Sequence, residues 1–231
     1  MSTEQPNLFG EMVGEEKVRY EQIPEKKIIP TAFLPGVNTE EAYPEIKGFA
    51  ELEKLNLSCE KCGLRSTCKQ VVYGGGNPHA DLLFIGEGPG ADEDAKGIPF
   101  VGRSGKLFDK ILAAVKFDRE EIYITNVVKC RPPGNRLPNP NEVKVCRNYL
   151  EAQIRLMQPK IIVCLGSAAS RAVIAPRSSI GQVRGRWLQR NGIKMMATYH
   201  PAALLRNESY KRPTWEDFKL IRDAYNEIRN P

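Results

Sequence analysis

The sequence predicts an α/β protein, a three-layer sandwich with a central four-stranded, mainly parallel sheet flanked by helices. Four short apolar runs recur along the chain, at 82–86, 122–126, 161–166 and 195–200. Helical periodicity separates them at about 105–116, 141–158 and 167–175, and a last helix is expected at 214–229. Strands buried on both faces read as continuous apolar runs, and their alternation with helices is typical of a parallel sheet.

Glycine-rich or polar residues follow each predicted strand. They are Gly86-Glu-Gly-Pro-Gly90, Asn126, the pair at 166–167 and the pair at 200–201. In open parallel sheets the ligand crevice lies beyond the carboxyl ends of the strands. We therefore expect these residues to line one site at that edge.

The first 47 residues differ from the rest of the chain. They contain five prolines with charge clusters and little periodicity, which predicts an irregular or partly disordered N-terminal extension. From residue 48 the pattern changes, and an amphipathic helix is expected at 49–57. We predict an extension at 1–47 and a single domain at 48–231.

The net charge of +6 is unevenly distributed. Residues 1–47 carry a net charge of −4 and residues 48–231 a net charge of +10, with no Asp or Glu between Glu151 and Glu208. The basic residues in that stretch are Arg155, Lys160, Arg171, Arg177, Arg184, Arg186, Arg190, Lys194 and Arg206. A long acid-free segment favours a polyanionic partner such as nucleic acid, whereas scattered, solvated arginines are the alternative.

Composition excludes several classes of protein. Hydrophobic residues make up 41% and charged residues 27%, which argues against wholesale disorder. No apolar run approaches the roughly 18 residues of a membrane-spanning helix, and no secretory signal is visible. We expect a cytoplasmic protein without membrane contact.

Six cysteines occupy positions 59, 62, 68, 130, 146 and 164. Cys59 and Cys62 form a Cys-x-x-Cys turn, a spacing that suits a shared metal centre. The spacing by itself does not separate zinc from an iron–sulfur cluster, and a redox pair is a further alternative. Cys164 lies within an apolar run, so we expect it to be a small buried side chain.

Taken together, these motifs resemble those of the family-4 uracil-DNA glycosylases, enzymes that carry a 4Fe–4S cluster. The matching segments are Cys59-x-x-Cys62, 86–94, 97–105, 124–133, Cys146 and 200–207. The resemblance covers about residues 49–229 and implies cluster ligation by Cys59, Cys62, Cys130 and Cys146. Cys68 is close enough in sequence to replace one of these ligands.

The resemblance also implies a pocket that receives a uracil flipped out of DNA. Phe100 is expected to stack on the base, Asn126 to read its polar edge, and His200 to donate a hydrogen bond to uracil O2. Glu87 is the first choice for the polar role beside the pocket, and Glu93 the second for positioning water. The remaining pocket residues are Gly86, Gly88, Pro89, Gly90 and Ser167.

The expected DNA contacts lie outside this pocket. The loop at 201–207 combines Leu204 and Leu205 with Arg206 and is predicted to wedge into the space that the flipped nucleotide leaves. Ser104 is a candidate phosphate contact, together with Lys106 and Lys129.

The resulting hypothesis is a monofunctional, monomeric uracil-DNA glycosylase that acts on double- or single-stranded DNA at the nucleoid. One alternative is a relative that crosslinks to the abasic site through its histidine, although this chain lacks the basic insertion of such relatives. The other is an iron–sulfur or zinc protein that binds DNA during replication without turnover. The DNA-binding hypothesis predicts binding without release of a base, whereas the uracil-DNA glycosylase hypothesis predicts turnover.

Overall fold

The computed structural model describes residues 42–230, so predictions for residues 1–41 lie outside the described residues. The strands are β1 (Gly75–Gly76), β2 (Leu82–Gly86), β3 (Tyr123–Asn126), β4 (Ile161–Leu165), β5 (Leu188–Arg190) and β6 (Ile193–Thr198). The helices are α1 (Phe49–Leu57), α2 (Ala91–Lys96), α3 (Arg103–Ala114), α4 (Pro140–Met157), α5 (Gly166–Val173), α6 (Ile180–Val183), α7 (Pro201–Arg206) and α8 (Lys211–Arg229). Within this range no helix has the length and apolarity that crossing a membrane requires.

All strands described belong to one sheet with the order β1-β3-β2-β4-β6-β5. The inner four strands pair in parallel and are the four strands predicted from the apolar runs. The two edge strands pair antiparallel, which makes the sheet six-stranded and the predicted number too small. At two and three residues, the edge strands are too short to give an apolar run.

Both faces of the sheet are buried, which confirms the α/β class. Leu83 and Ile85 of β2 pack on one face with Leu150 of α4 and Ala169 of α5. Leu82 and Phe84 pack on the opposite face, where the partners include Phe108 of α3 and Phe218 and Ile221 of α8. Successive side chains of a strand point to opposite faces, so a continuously apolar strand supplies both layers of the core.

The segment just before α1 is attached to the domain. Ala42 and Ile46 are buried against Leu52 and Tyr149. The Arg155 guanidinium donates to the backbone carbonyls of Tyr43 and Ile46, at 2.8 and 3.0 Å. Residues 42–47 therefore pack on the body of the protein, while the boundary at residue 47 remains a prediction.

Candidate active site

The carboxyl ends of β2 and β3 bring an amide and an aromatic ring together. Gly86 pairs in register with Asn126, so both strands end at the same level. A Cβ atom on Gly86 would clash with Asn126 Oδ1 and lie 2.7 Å from Phe100 Cζ. The missing side chain of Gly86 therefore creates the space in which Asn126 and Phe100 meet.

Phe100 is held in an uncommon backbone conformation. Its φ is 53°, in the left-handed region, which costs on the order of 1 kcal/mol for a residue with a side chain. Gly105 of α3 lies so close that a Cβ atom there would clash with the Phe100 backbone. The Phe100 ring is buried, and its centroid lies 5.5 Å from the His200 ring. The glycine in α3 thus allows the close contact that fixes the aromatic ring at the site.

Asn126 presents an unsatisfied acceptor. The residue is 2% exposed, and its Oδ1 is buried without a hydrogen-bond partner among the described residues. Leaving a buried acceptor unpaired costs about 1–3 kcal/mol, so a donor from a ligand would be favourable there. The amide geometry suits a base edge that presents an N–H group.

His200 follows β6 and caps α7 with its imidazole. Its Nδ1 accepts a hydrogen bond from the backbone N–H of Ala202 at 3.1 Å, so the ring proton lies on Nε2. Burial, assisted by the positive charge of Arg206, lowers the pKa of His200 from 6.5 to about 4. The imidazole is therefore neutral near pH 7 and offers one N–H donor.

The two candidate acids have different surroundings. Glu87 is half-buried and makes no hydrogen bond through its side chain within the described residues. Burial raises the pKa of Glu87 above its usual 4.5, and Arg206 partly opposes this rise. Glu93 instead accepts hydrogen bonds from the backbone N–H groups of Gly90, Val101 and Gly102, at 3.1, 2.8 and 2.8 Å.

These three hydrogen bonds engage the Glu93 carboxylate in holding the backbone of the site together. Its carboxylate joins the loop that precedes α2 to the loop that precedes α3. Of the two acids, only Glu87 has a carboxylate that accepts no hydrogen bond among the described residues. The neighbouring Asp94 accepts the backbone N–H of Lys69 at 2.8 Å and so links α2 to the cysteine-bearing segment.

The glycine-rich loop after β2 is fixed against the segment after β3. The carbonyls of Gly86 and Glu87 accept the N–H groups of Val127 and Val128, at 2.9 and 3.1 Å. A Cβ atom on Gly88 would lie 2.7 Å from the Val128 side chain, which leaves little room for an acid at that position. Pro89 is buried and Gly90 is the N-cap of α2. Of the predicted pocket residues in this loop, Gly86 lies beside Asn126, whereas Gly88 lies beside Val128 and Gly90 beside Glu93.

The predicted DNA wedge is a helix and not a loop. Within α7, Leu204 is 1% exposed and packs in the core, so the prediction that it contacts DNA is wrong. Leu205 is 47% exposed, and Arg206 is also exposed. Ser104, in the first turn of α3, and Ser167, in the first turn of α5, are both partly buried.

Lys129 is not a surface lysine, which contradicts its prediction as a phosphate contact. It is 1% exposed, and its Nζ donates to Thr125 Oγ1, the Asn126 carbonyl and Gln153 Oε1, at 2.5, 2.8 and 2.6 Å. Burial lowers the pKa of Lys129 to about 7. The one signal in the sequence is that the apolar run of β3 continues through Val127 and Val128, directly before this lysine.

Five of the six cysteines form a group. Cys130 interacts with Cys68, Cys146 and Cys62, and Cys146 also interacts with Cys59. Burial raises the pKa of the Cys130 thiol, and it raises that of Cys146 to about 11. Among residues 42–230, no three His, Cys, Asp or Glu side chains converge as ligands of a single metal ion.

Cys164 stands apart from the cysteine group. It is fully buried in β4, as its apolar surroundings predicted. Burial raises its thiol pKa to about 12, which keeps it protonated.

A cavity of about 410 Å³ lies elsewhere, at the opposite edge of the sheet. Its lining comes from the end of α4, the residues before β4 and the turn between β5 and β6. None of the predicted site residues lines this cavity, so the candidate active site is the one at the carboxyl edge of the sheet.

Comparison with known proteins places the chain in a family. The model of the uracil DNA glycosylase superfamily matches residues 73–219. A type-4 uracil-DNA glycosylase of Archaeoglobus fulgidus is 43% identical over 71% of this chain and 87% of its own length. Those of Sulfurisphaera tokodaii and Thermotoga maritima are 42% and 46% identical, over 74% and 65% of this chain and 84% and 80% of their own lengths. The chain belongs to the uracil DNA glycosylase superfamily and, within it, to the type-4 uracil-DNA glycosylases.

Proposed function

We propose that the protein hydrolyses the N-glycosidic bond of uracil in DNA, which releases uracil and leaves an abasic site for base-excision repair. The observation that carries this proposal is the buried Asn126 Oδ1, which has no donor among the described residues and lies beside the Phe100 ring. Membership of the family supports the same reaction. The substrate is DNA, double- or single-stranded, that contains uracil.

Asn126 explains the choice of uracil over cytosine. The Oδ1 acceptor pairs with uracil N3–H, while the amide N–H group donates to O4. Cytosine presents an acceptor at N3 and a donor at N4. Its N3 would therefore face the Oδ1 acceptor of Asn126, and its N4 amino group would face the amide N–H donor. A site built for one hydrogen-bonding pattern rejects the opposite pattern strongly, because its buried polar groups remain unpaired.

Phe100 supplies the stacking surface for the flipped base. An aromatic ring accepts any flat base with little loss of conformational entropy, so it contributes affinity without selecting the base. Its position depends on Gly86 and Gly105, whose missing side chains leave room for the ring and for its backbone.

His200 stabilises the leaving group. Uracil departs as an anion, and negative charge develops on O2 as the glycosidic bond breaks. The neutral imidazole donates its Nε2–H to this oxygen, since Nδ1 is occupied by the Ala202 N–H. A donor that is already oriented lowers the barrier without reorganisation during the reaction.

Glu87 orients the attacking water. Its carboxylate makes no hydrogen bond within the described residues, and it interacts electrostatically with Arg206. The amine of Lys129 is held by three acceptors next to Asn126, so this lysine is not available to attack the sugar. We therefore propose a monofunctional enzyme that leaves the DNA strand uncut.

The outer contacts hold the DNA in place. We assign the wedge to Leu205 and Arg206, which are the exposed residues at the end of α7. Ser104 and Ser167 lie in the first turns of α3 and α5, where backbone N–H groups favour phosphate oxygens. The enzyme acts as a monomer in the cytoplasm, at the nucleoid.

The cysteine group is proposed to hold one 4Fe–4S cluster through Cys59, Cys62, Cys130 and Cys146. Their thiols interact but do not converge on a single ion, which fits a cluster whose irons each bind a different cysteine. When bound, the cluster crosslinks the segment after α1, the loop after β3 and α4. It takes no part in cleavage of the glycosidic bond.

Incubation of a uracil-containing oligonucleotide with the protein, followed by alkali, tests the proposed function. Wild type is expected to produce an alkali-labile site. His200→Ala lowers the rate by about 10²- to 10³-fold, the usual effect of removing one transition-state donor. Asn126→Ala also lowers it and weakens discrimination against cytosine.

Matched controls are available for both variants. His79 and Asn226 are exposed and lie outside the site, so His79→Ala and Asn226→Ala retain wild-type rates. An oligonucleotide that stays resistant to alkali after incubation with wild type refutes the proposed function.

A further inference from the structure

The segment 199–210 carries the proposed leaving-group donor and the proposed wedge on one short helix. His200 is the N-cap of α7, and Leu205 and Arg206 are the last residues of that helix. The helix has six residues. An isolated helix shorter than roughly 12–15 residues is marginal in water. Contacts outside α7 must therefore keep His200 and the two outer residues in fixed positions.

Two tyrosines close this segment at its ends. Tyr199 precedes His200, and Tyr210 ends the short 3-10 turn that follows α7. Their rings are stacked, with centroids 4.2 Å apart and planes 11° from parallel. Both residues are partly buried, and their hydroxyl groups make no hydrogen bond within residues 42–230. The contact between the two ends of the segment is therefore made by the flat faces of the rings.

Both tyrosines are also attached to α8. The Arg184 guanidinium lies over the Tyr199 ring, 5.3 Å from its centroid. Arg184 in turn donates to both carboxylate oxygens of Asp217, at 2.6 and 3.1 Å. The Tyr210 carbonyl accepts a hydrogen bond from Thr214 Oγ1 at 2.7 Å. Since α8 packs in the core, the stacked rings are held against a helix that does not depend on α7 for its position.

We infer that Tyr199 and Tyr210 are positioning residues whose stacked rings close the segment 199–210 and so fix His200 and Leu205 relative to the site. The inference rests on the proposed function, which gives His200 and Leu205 their roles. It adds that stabilisation of the leaving group and opening of the base stack both depend on one aromatic contact outside the pocket.

Tyr210→Leu tests this inference, because it keeps an apolar side chain and removes the flat ring. Tyr210 lies ten positions after His200, so the chain next to His200 is unchanged. On single-stranded DNA, kcat for uracil release is expected to fall roughly tenfold, since a small displacement of a catalytic group is costly. On duplex DNA a further loss is expected, because Leu205 is displaced as well. Affinity for single-stranded DNA without uracil stays at the wild-type value.

Combination with His200→Ala separates positioning from a general loss of stability. If Tyr210 acts through His200, the two substitutions are not additive, because each removes the same interaction with the leaving group. Tyr210→Leu is then expected to lower the residual rate of His200→Ala on single-stranded DNA by less than about twofold.

Two control variants accompany this test. Tyr210→Phe keeps the stacked ring and is expected to restore most of the wild-type rate. Tyr225→Leu makes the same substitution as Tyr210→Leu at another aromatic pair of α8, where the Tyr225 ring lies 5.3 Å from that of Phe117. It is expected to lower the unfolding temperature and to keep the wild-type kcat.

The imidazole of His200 provides a measurement that needs no activity. The chain has two histidines, His79 and His200, so the ring signals in a nitrogen-15 NMR spectrum are readily assigned. Tyr210→Leu is expected to shift the Nδ1 signal of His200, because the hydrogen bond from the Ala202 N–H is weakened. Tyr210→Phe and Tyr225→Leu leave this signal unchanged.

The inference is overturned if Tyr210→Leu keeps the wild-type kcat on single-stranded DNA, or if its loss of rate is undiminished in the His200→Ala background. Loss of affinity for DNA without uracil, with an unchanged His200 signal, also overturns it, because the rings would then contact DNA directly. Should Tyr210→Leu fail to fold, Tyr199→Leu breaks the same stack and is judged by the same criteria. Failure of the wild type to release uracil contradicts the proposed function alone, because the His200 signal still tests the effect of the stack.

Discussion

At the scale of single residues, the site depends on glycines that leave space as much as on residues with functional side chains. Gly86 leaves space for Asn126 and Phe100, and Gly105 allows the approach of α3 to the Phe100 backbone. The motifs identified Asn126, Phe100 and His200, because each occupies a recognisable position in the sequence. The tautomer of His200 and the occupied carboxylate of Glu93 depend on backbone N–H groups brought together by folding, which no sequence pattern reports.

The pH dependence of activity distinguishes His200 from Glu87. His200, with a pKa lowered to about 4, stays neutral through the range where a histidine normally titrates. Glu87 must be ionised to accept a proton from water, and burial raises its pKa above 4.5. Activity is therefore expected to fall with decreasing pH as Glu87 becomes protonated. No separate change in rate is expected near pH 6.5, where an ordinary histidine titrates.

Single-turnover rates measured between pH 4 and 8 check this expectation. Glu87→Gln removes the acid limb and lowers the plateau rate. An acid limb near pH 6.5 that persists in Glu87→Gln would contradict the assignment of a neutral His200.

At the scale of elements, α7 shows how a motif residue builds its own surroundings. His200 is the N-cap of the helix and Pro201 its first residue, a combination that starts a helix. From the sequence, this segment was expected to be a loop. Once the helix forms, Leu204 turns into the core and Leu205 outward, since neighbouring residues on a helix point in different directions.

Leu205→Ala tests the role of α7. The exposed leucine fills the space left by the flipped nucleotide, so its loss is expected to lower kcat/KM about tenfold on duplex DNA, the equivalent of about 1.4 kcal/mol. On single-stranded DNA, where no stack has to be opened, the effect is small. Steady-state rates on both substrates provide the measurement.

Leu57→Ala is the matched control, because Leu57 lies on α1 with 48% exposure against 47% for Leu205. It is expected to match wild type on both substrates. Equal losses for Leu205→Ala on duplex and single-stranded DNA would show that Leu205 is not a wedge.

At the scale of the whole molecule, folding redistributes the charges that the sequence shows. Four basic residues of the acid-free stretch form ion pairs with acids from outside it: Lys160 with Asp81, Arg184 with Asp217, Arg190 with Glu151, and Lys194 with Glu227. Arg177, Arg186 and Arg206 are exposed and form no ion pair among residues 42–230. A count along the chain thus predicts the sign of the field but not its location, because partners distant in sequence neutralise parts of it.

The parallel core of the fold was predictable because it depends on local sequence and not on partners distant in the chain. Each inner strand carries its own apolar run, so local sequence suffices for β2, β3, β4 and β6. The grouping of Cys59, Cys62, Cys130 and Cys146 was implied by the resemblance, and it joins segments separated by up to 87 positions, from Cys59 to Cys146. Cys68 was expected to be close enough in sequence to replace a ligand, and in the structure it interacts with Cys130.

Serine substitutions test which cysteines hold the proposed cluster. Cys146→Ser is expected to lose iron and much of its thermal stability, because the link between α4 and the loop after β3 is removed. Cys68→Ser retains the iron content and the unfolding temperature of wild type. Iron analysis and thermal unfolding provide the measurements. If Cys68→Ser loses its iron while the serine variant of one proposed ligand keeps it, Cys68 is a ligand in place of that cysteine.

The most direct test of the central claim is the identity of the product. A duplex with one uracil is incubated with wild-type protein, and the free bases and the DNA strand are analysed by mass spectrometry. The account predicts one free uracil per uracil-containing strand, no free cytosine or thymine, and a strand that stays intact until alkali is added. Absence of free uracil, or a strand cut before the addition of alkali, would contradict it.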